Sequence, residues 1–300
     1  MIIIFSERIV FRCVSNYIQN IEKYLTDLNI DARIVIYNNP NYIRKYIVDN
    51  NIKNSFILYV QLFLSSSPLE YNNKEFVINI EQMKTLEYRK HFNIENLANN
   101  TNSTIDYNQI NINNVLSINS KKEIYYIPYL YCVDNIILEN KYDVCIVGSS
   151  SPHRINMYNK LKENNINVIY VNNTYGDECE RYIGESKILL NVHYIPESDI
   201  LETFRCYSAL YKKKIVISEN SVYDCNNELD NLIIYSHYDH LIDTVISTLS
   251  NYENIKKTID NFNFKKIYFD HHKQIRLFLN NSGYYTLQSN NQYVNNDELC

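Results

Sequence analysis

Glycine and tryptophan are scarce in this sequence, whose 300 residues include 4 glycines, 5 prolines and no tryptophan. With so few glycines, the chain has no glycine-rich dinucleotide fingerprint, and it has no Walker lysine pattern either. Dehydrogenase and P-loop chemistry are therefore disfavoured. The chain also has no GxSxG elbow, HExxH pair or evident Cys–His dyad, so nucleophilic or zincin-type hydrolysis is unsupported.

Paired cysteines, long apolar runs and basic blocks are missing as well. The 7 cysteines are scattered without a CxxC pair, which suits a reducing compartment and argues against a zinc module. The apolar start MIIIF is interrupted at Ser6, too early for a signal peptide or for a membrane span of about 20 residues. The net charge is −5, and no run of lysine or arginine could follow a phosphate backbone. We therefore expect a cytoplasmic protein that has no transmembrane segment and binds no nucleic acid.

Segments typical of strands and of helices alternate along the chain. The first half predicts strands at 1–5, 32–37, 55–60, 75–80 and 123–130, with helices at 15–29, 40–50 and 83–92. The second half predicts strands at 143–148, 167–171, 187–194, 214–218 and 231–236, with helices at 152–164, 177–186, 199–211, 239–262 and 265–280. Strands separated by helices of about 10–15 residues form parallel sheets. We predict an α/β protein with two doubly wound, Rossmann-like domains facing a cleft, at 1–135 and 136–282, and a polar tail at 283–300.

The helix predicted at 152–164 starts in an unusual way. It follows a strand directly through the turn 148–150, and it opens with Ser151, a good N-cap residue, before a proline. His153 and Arg154 then place basic groups at the positive end of the helix dipole, which costs about 0.3–1 kcal/mol unless an anion offsets it. One interpretation is a phosphate-binding turn. The other is an arginine that points into solvent beside a tight turn.

The next helix provides a comparison with this basic start. It opens after Gly176 with an acidic D-x-x-E pattern from Asp177 to Glu180. Such a pattern is predicted to cap the first amides of its own helix, so that no external anion is needed.

A second group of polar residues lies in the segment 189–210. His193 falls at the carboxyl end of a strand, which is where ligands bind in sheets of this kind. Glu202 and Arg205 lie off the apolar face of the following helix. They form either a capping box from Asp199 with a surface ion pair, or a ligand site in which Glu202 accepts from a sugar or ribose hydroxyl and Arg205 faces a phosphate. The sequence leaves both interpretations open.

Other histidines give weaker indications. His237, Asp239 and His240 are close in sequence, but no further ligand cluster accompanies them, so a metal site is not favoured. His271 and His272 lie on the last predicted helix and are expected to face solvent.

Three of these segments also resemble a known family. They read DVCIVGSSSPHR, YGDECERYIGESKILLNVHY and ILETFRCYSALYKKKIVISENS. In that order they resemble the donor-binding half of GT-B-type glycosyltransferases, in a group common in bacteria and large DNA viruses. The match spans about residues 141–222, and the segments EFVINIEQMKTLEYRKHF and TIDYN resemble the first half of that group more weakly.

The resemblance implies a glycosyltransferase, hexosyl or related, that moves a sugar from a nucleotide-sugar donor to a glycan or protein acceptor. The nucleotide-sugar would be a substrate, and neither a cofactor nor a metal ion would be required. The implied donor and phosphate residues are Gly148, Ser149, Ser150, Arg154, Tyr175, Gly176, Glu202 and Arg205. The catalytic candidates are His193, with Glu81 or Asp106 as the general base if the configuration inverts. If the chain is viral, the compartment is the host cytoplasm.

One departure from the family pattern concerns the second acidic residue of the donor site. Leu210 occupies the position at which many retaining members carry a glutamate after the one corresponding to Glu202, whereas Arg205 and Glu219 are present instead. The stereochemistry and the activity itself therefore stay open. The alternatives are a nucleotide- or sugar-phosphate-binding protein without transfer activity, and a partner-binding Rossmann-type module in which the turn at 148–150 is only a turn.

Overall fold

The structure is a computed structural model that describes residues 1–61, 73–80, 94–99, 102–130, 138–196, 200–221 and 228–286. The chain divides into two compact units. The first unit comprises Met1–Leu130 and Tyr268–Cys300, and the second comprises Tyr131–Ile267. No helix among the described residues is both long and apolar enough to cross a bilayer.

Parallel strands and intervening helices make up both units. The strands are β1 Ile2–Glu7, β2 Ala32–Tyr37, β3 Phe56–Val60, β4 Lys74–Asn79, β5 Ser103–Asp106, β6 Ile124–Tyr126, β7 Tyr142–Val147, β8 Val168–Val171, β9 Ser186–Asn191, β10 Ile215–Glu219 and β11 Ile233–Ser236. The α-helices are α1 Arg8–Asp27, α2 Asn41–Asp49, α3 Ile94–Asn99, α4 Gln109–Ile118, α5 Pro152–Glu163, α6 Gly176–Gly184, α7 Thr203–Tyr211, α8 Leu241–Ser250, α9 Tyr252–Asp260 and α10 Phe264–Asn281. The prediction of two doubly wound α/β units is confirmed.

The first unit is built on a six-stranded sheet in the order β2-β1-β3-β4-β5-β6, in which each neighbouring pair is parallel. Its central strands are continuous apolar runs, because helices cover both faces of a parallel sheet. Helix α1 begins at Arg8 rather than at the predicted Ser15. The helix is nevertheless interrupted next to the predicted start, because the backbone leaves helical geometry at Val14, where φ is −132°.

The second unit contains a five-stranded parallel sheet in the order β11-β10-β9-β7-β8. From β7 the chain passes to β8 on one side of that strand and then to β9 on its other side. The carboxyl ends of β7 and β9 therefore lie side by side at the switch point, where the strand order reverses. Val147, Asn191 and Glu219 end β7, β9 and β10, respectively. These three strand ends carry the polar groups that are considered below.

The last helix departs from the predicted domain boundaries. The sequence assigned residues up to 282 to the second domain, but α10 from Tyr268 onward belongs to the first unit. The reason is aromatic packing: the Phe278 ring lies 6.4, 5.5 and 5.4 Å from the rings of Phe56, Phe76 and Tyr125, respectively.

The histidines of α10 differ from their expected exposure. His271 is buried, and this burial lowers its pKa to about 3. The ring of His272 lies 4.5 Å from that of Tyr24 in α1. The expectation that His271 faces solvent is therefore wrong, because α10 turns this side chain toward the interior of the first unit.

Helix α10 offers a direct test of its packing on the first unit. Phe278 is 3% exposed and its neighbour Leu277 is 42% exposed. We expect Phe278→Ala to lower the free energy of unfolding by about 3–5 kcal/mol, because it leaves a cavity among three aromatic rings. Leu277→Ala should cost less than about 1 kcal/mol. Urea denaturation of both variants checks this difference, and equal losses would contradict the packing of α10 described here.

Candidate functional site

Gly148 begins the turn between β7 and α5 and fixes its geometry. Its φ is +128°, a conformation that side-chain-bearing residues rarely adopt. Its backbone N–H donates to the Val171 carbonyl at 3.0 Å. Ser151 is the N-cap of α5, as predicted, and its hydroxyl accepts from the Arg154 amide at 3.2 Å. The Ser150 amide donates to Asn172 Oδ1, so this turn presents fewer open amides than the sequence indicated.

Two guanidinium groups meet at this glycine. A Cβ atom at position 148 would lie 2.6 Å from Nη1 of Arg154 and 3.0 Å from Nη1 of Arg205. Arg205 comes from α7, and its Nη1 donates to the Val147 carbonyl at 2.6 Å. The absence of a side chain at Gly148 is therefore what allows two like charges to approach the end of β7.

Arg154 braces the turn from inside. It is 2% exposed, and it donates to the carbonyls of Val192 at 2.7 Å and Ser149 at 3.0 Å. Burial and the charge of Arg205 lower the pKa of Arg154 to about 10, so it stays a cation at neutral pH. Its third contact is Nη2 to Glu202 Oε1 at 3.3 Å. Arg154 thus uses its donors within the protein.

Arg205 is the more accessible of the two cations. It is partly exposed, and apart from the Nη1 bond to Val147 its guanidinium donates to no group in the described part of the chain. Of the two arginines predicted to bind phosphate, Arg205 therefore has the donors to do so.

Glu202 lies at the N-cap position of α7 but makes no capping bond. Its Oε2 accepts from Asn191 Nδ2 at 2.8 Å and lies 2.9 Å from His193 Nδ1. Burial alone would raise the pKa of Glu202, but the hydrogen bond from His193 and the charges of Arg205 and Arg154 lower it to about 2. The capping-box interpretation is wrong for Glu202, and its proposed partner Asp199 lies outside the described residues.

Glu219 is a carboxylate of the site to which sequence reasoning gave no contact. Its two oxygens lie 3.1 and 3.0 Å from His153 Nε2, and Oε2 also accepts from the His193 backbone N–H at 3.1 Å. The Tyr238 ring stacks on His153 with centroids 3.9 Å apart. The basic residues at the start of α5 are therefore partly balanced inside the protein, since Glu219 faces His153 and Glu202 faces Arg154. The sequence signal that could have identified Glu219 is its position as the acidic residue directly after the apolar run KIVIS.

Tyr175 and Gly176 precede and begin helix α6. Gly176 has φ +60°, and Tyr175 is exposed at the N-cap position without a side-chain capping bond. The predicted acidic cap is wrong, because Glu180 instead accepts from the Ser208 hydroxyl and pairs with Lys212 at 3.0 Å. Within the described part of the chain, neither Tyr175 nor Gly176 hydrogen-bonds to the Gly148 turn, so their donor role stays a prediction.

The candidates for a general base lie in the first half of the chain. Glu81 lies outside the described residues. Asp106 ends β5 and is fully buried; it accepts from Asn79 Nδ2 at 2.6 Å, the Asn108 amide at 2.8 Å and Asn111 Nδ2 at 3.2 Å. Burial raises its pKa to about 7, against the lowering effect of these hydrogen bonds. This geometry favours a structural role at the start of α4, and the catalytic role of Asp106 stays a prediction.

Metal ligands do not gather in the part of the chain that the structure describes. No group of three or more His, Cys, Asp or Glu side chains is placed there to hold an ion, and the region of His237, Asp239 and His240 is no exception. The charged groups at the second sheet are instead paired as guanidinium with carboxylate and imidazole with carboxylate.

Sequence comparison connects the chain to proteins of Acanthamoeba polyphaga mimivirus. It is 31% identical to uncharacterized protein R358 over 194 residues, which span 62% of this chain and 65% of R358. It is 30% identical to uncharacterized protein L140 over 227 residues, which span 70% of this chain and 72% of L140. The chain belongs to the L140 family. Two further mimivirus relatives match over only 20% and 33% of their own length, and no family model matches the chain.

Solved structures identify the fold of this L140-family member. AviGT4, a glycosyltransferase involved in avilamycin A biosynthesis, aligns with a TM-score of 0.57 over 94% of this chain and 98% of its own, at 9% identity. T4 phage β-glucosyltransferase aligns with a TM-score of 0.53 over 93% of this chain and 99% of its own, at 13% identity. The expected GT-B glycosyltransferase fold is confirmed. At these identities the likeness establishes the fold alone.

The packing of two arginines on Gly148 predicts a larger than usual cost for a side chain there. We expect Gly148→Ala to lower the free energy of unfolding by about 2–3 kcal/mol, because the new Cβ atom would strain the backbone and also displace the arginine guanidinium groups. Gly283→Ala is the matched control, since Gly283 also has positive φ but has no atom within 4 Å of an added Cβ. It should cost only about 1 kcal/mol. Chemical denaturation measures both, and equal costs would remove the arginines from the explanation.

The raised pKa of Asp106 predicts a pH-dependent stability. Because the folded value is about 7 and the ordinary value about 3.9, the stabilisation is complete below pH 4 and is lost as pH rises through 7. We expect this group to remove roughly 2–4 kcal/mol between pH 4 and pH 8. Thermal unfolding across that range should show a flatter profile for Asp106→Asn. The control Asp49→Asn, at an exposed position, should show the same dependence of stability on pH as the unchanged protein. If Asp106→Asn also shows that dependence, the raised pKa of Asp106 is refuted.

Proposed function

We propose that this protein is a glycosyltransferase that moves a sugar, hexosyl or related, from a nucleotide-sugar donor to an acceptor hydroxyl. The observation that carries the proposal is the convergence of Arg154 and Arg205 on Gly148 at the carboxyl end of β7. The GT-B fold supports it, since ligands of doubly wound sheets bind beyond this edge. T4 β-glucosyltransferase has uridine diphosphoglucose as a substrate, which supports a donor of the same class here.

In the proposed reaction, the donor diphosphate lies against the turn after β7. As the sugar–phosphate bond breaks, negative charge grows on the departing diphosphate, and fixed cations stabilise that charge without having to reorganise. Arg205 is suited to this role because the Val147 carbonyl holds its Nη1, while its remaining N–H groups have no described partner. Arg154 would act through the turn that it braces and through its charge.

We further propose that transfer needs no metal ion. Two guanidinium groups supply the positive charge that a divalent cation would otherwise bring to the diphosphate. The nearby carboxylates are also occupied, since Glu202 contacts His193, Asn191 and Arg154, and Glu219 contacts His153. Magnesium at phosphate sites is usually bound by one or two carboxylates together with the substrate phosphates, so the engagement of both carboxylates by other residues supports metal independence.

The proposed acceptor is a glycan or a protein, and the reaction is assigned to the cytoplasm of the cell or host. T4 β-glucosyltransferase is a DNA modifying enzyme, but the present chain, with its net charge of −5 and no basic run, is poorly suited to a nucleic acid. For an inverting reaction, Glu81 is the preferred base, since the oxygens of Asp106 are buried and already hydrogen-bonded.

The first experiment is a thermal shift assay with UDP, GDP, CDP, dTDP and ADP. A nucleotide at about 100 times its Kd stabilises the folded protein by about 2.7 kcal/mol, which should raise the unfolding midpoint by several degrees. We expect one of the five to do so. Arg205→Ala should lose that response but keep the midpoint of the free protein. Arg154→Ala should lower the midpoint of the free protein as well, because it removes the brace between the turn and β9.

Arg181→Ala is the control, because Arg181 is an exposed arginine of the same unit that pairs with Glu185. It should respond to nucleotide like the unchanged protein. A chain that responds to none of the five nucleotides contradicts the proposed donor site. If the protein binds one of them but transfers no sugar from the corresponding nucleotide-sugar, it is a binding protein without transfer activity. Leu210, which stands where many retaining family members carry a glutamate, would favour that outcome.

A further inference from the structure

The ring of His193 is held by an acceptor at each nitrogen. Nδ1 lies 2.9 Å from Glu202 Oε2, and Nε2 lies 3.3 Å from the Asn220 carbonyl oxygen. The side chain is 1% exposed, so water does not compete freely for either nitrogen. A carbonyl oxygen can only accept a hydrogen bond, and an ionised carboxylate can only accept as well. Satisfying both contacts therefore requires a proton on both ring nitrogens.

The alternative assignment would place the proton on Glu202. The other contacts of this carboxylate argue against it, because Asn191 Nδ2 donates to the same Oε2 at 2.8 Å and Arg154 Nη2 points at Oε1 from 3.3 Å. A neutral carboxylic acid would accept these two bonds more weakly than a carboxylate does, and it would lose the charge pairing with Arg154. The low pKa of Glu202 agrees with the ionised form.

Charges from every neighbouring element act on this imidazole. Glu202 precedes α7, Arg205 lies within α7, Arg154 and His153 come from α5, and Glu219 comes from β10. Burial lowers the pKa of His193, but the hydrogen bond and charge of Glu202, the charge of Glu219 and the Asn220 carbonyl together raise it. The balance of the surrounding charges thus favours the cation.

We propose that His193 is a fixed imidazolium and acts as a positioning residue, balancing Glu202 so that Arg205 stays available to an anionic ligand. The inference rests on the proposed nucleotide-sugar donor for the identity of that anion. It gives His193 a role different from proton transfer with the acceptor, since both of its nitrogens are occupied and its ring is buried.

The mechanism depends on competition for the Arg205 guanidinium. With His193 charged, the Glu202 carboxylate is hydrogen-bonded by His193 and Arg154, while Arg205 acts on it through its charge and donates to the Val147 carbonyl. With His193 neutral, the same carboxylate loses one of the three cations that act on it, and Arg205, whose charge already acts on it, is the cation that keeps open donors. An ion pair between Arg205 and Glu202 would then compete with diphosphate binding.

The protonation state is tested first, on the free protein and without any nucleotide. In ¹⁵N-histidine NMR, both ring nitrogens of His193 should show protonated chemical shifts at pH 7.5. His193→Asn identifies the resonance, and Glu202→Gln should move its titration to lower pH. The exposed His240 serves as an internal chemical-shift reference in the same spectra. A neutral His193 at pH 7.5 in the unchanged protein overturns the inference, whether or not the variants fold.

The consequence is tested by calorimetric titration of the nucleoside diphosphate that gives the largest thermal shift, from pH 6.5 to 9.5. We expect affinity to fall about tenfold, or about 1.4 kcal/mol, over the pH range in which NMR detects loss of the His193 proton. His193→Asn retains a donor to Glu202 without the charge, so it should bind about tenfold more weakly at low pH and lack that step.

His240→Asn is the matched control and should keep both the affinity at low pH and the fall in affinity as pH rises. Ionisation of the nucleotide itself affects all variants alike. A step that persists in His193→Asn would overturn the positioning role. If no diphosphate binds at any pH, the proposed donor site fails, whereas the NMR titration still decides the state of His193.

Discussion

The Glu202 carboxylate is the group on which the arrangement of the second unit depends. It is an anion at the carboxyl edge of the sheet whose side chain is only 13% exposed, and an unpaired charge that is largely buried would cost several kcal/mol. Its partners come from two places: Arg154 from α5, and Asn191 and His193 from the end of β9. Since Arg154 in turn holds the Val192 carbonyl and the turn after β7, one carboxylate fixes the relative positions of two strand ends and two helix starts.

Charge balance explains why these side chains occur together. Arg154, Arg205 and His193 would repel one another if they stood alone at one sheet edge, and Glu202 and Glu219 would be costly to bury without them. Together they form a site whose charges are paired within the protein and which retains a partly exposed cation in Arg205. Preorganised charge of this kind stabilises a developing anion more effectively than charge that must reorganise during the reaction.

The sequence predicted those parts of the molecule that depend on local chemistry. Apolar runs marked the strands, and Ser151 before a proline marked the start of α5, because a cap is specified by its own side chain and the next amides. The contact of Glu219 with His153 depends on strand order, which brings together residues 66 positions apart. The packing of Phe278 in the first unit depends on which aromatic rings of that unit it can contact. Neither follows from periodicity, since both are properties of the assembled sheet.

The two sheets end in polar clusters of opposite character, and the difference bears on function. In the first unit, Asp106 is surrounded by amide donors from Asn79, Asn108 and Asn111, which satisfy a carboxyl group without adding a cation. In this cluster the oxygens of Asp106 are engaged by amides, and no guanidinium or ammonium group among the described residues donates to them. In the second unit, Glu202 is paired with the Arg154 guanidinium, and Arg205 donates to no carboxylate among the described residues. A partly exposed arginine with open donors at the switch point of a parallel sheet is a reason to assign the anionic ligand to the second sheet rather than the first.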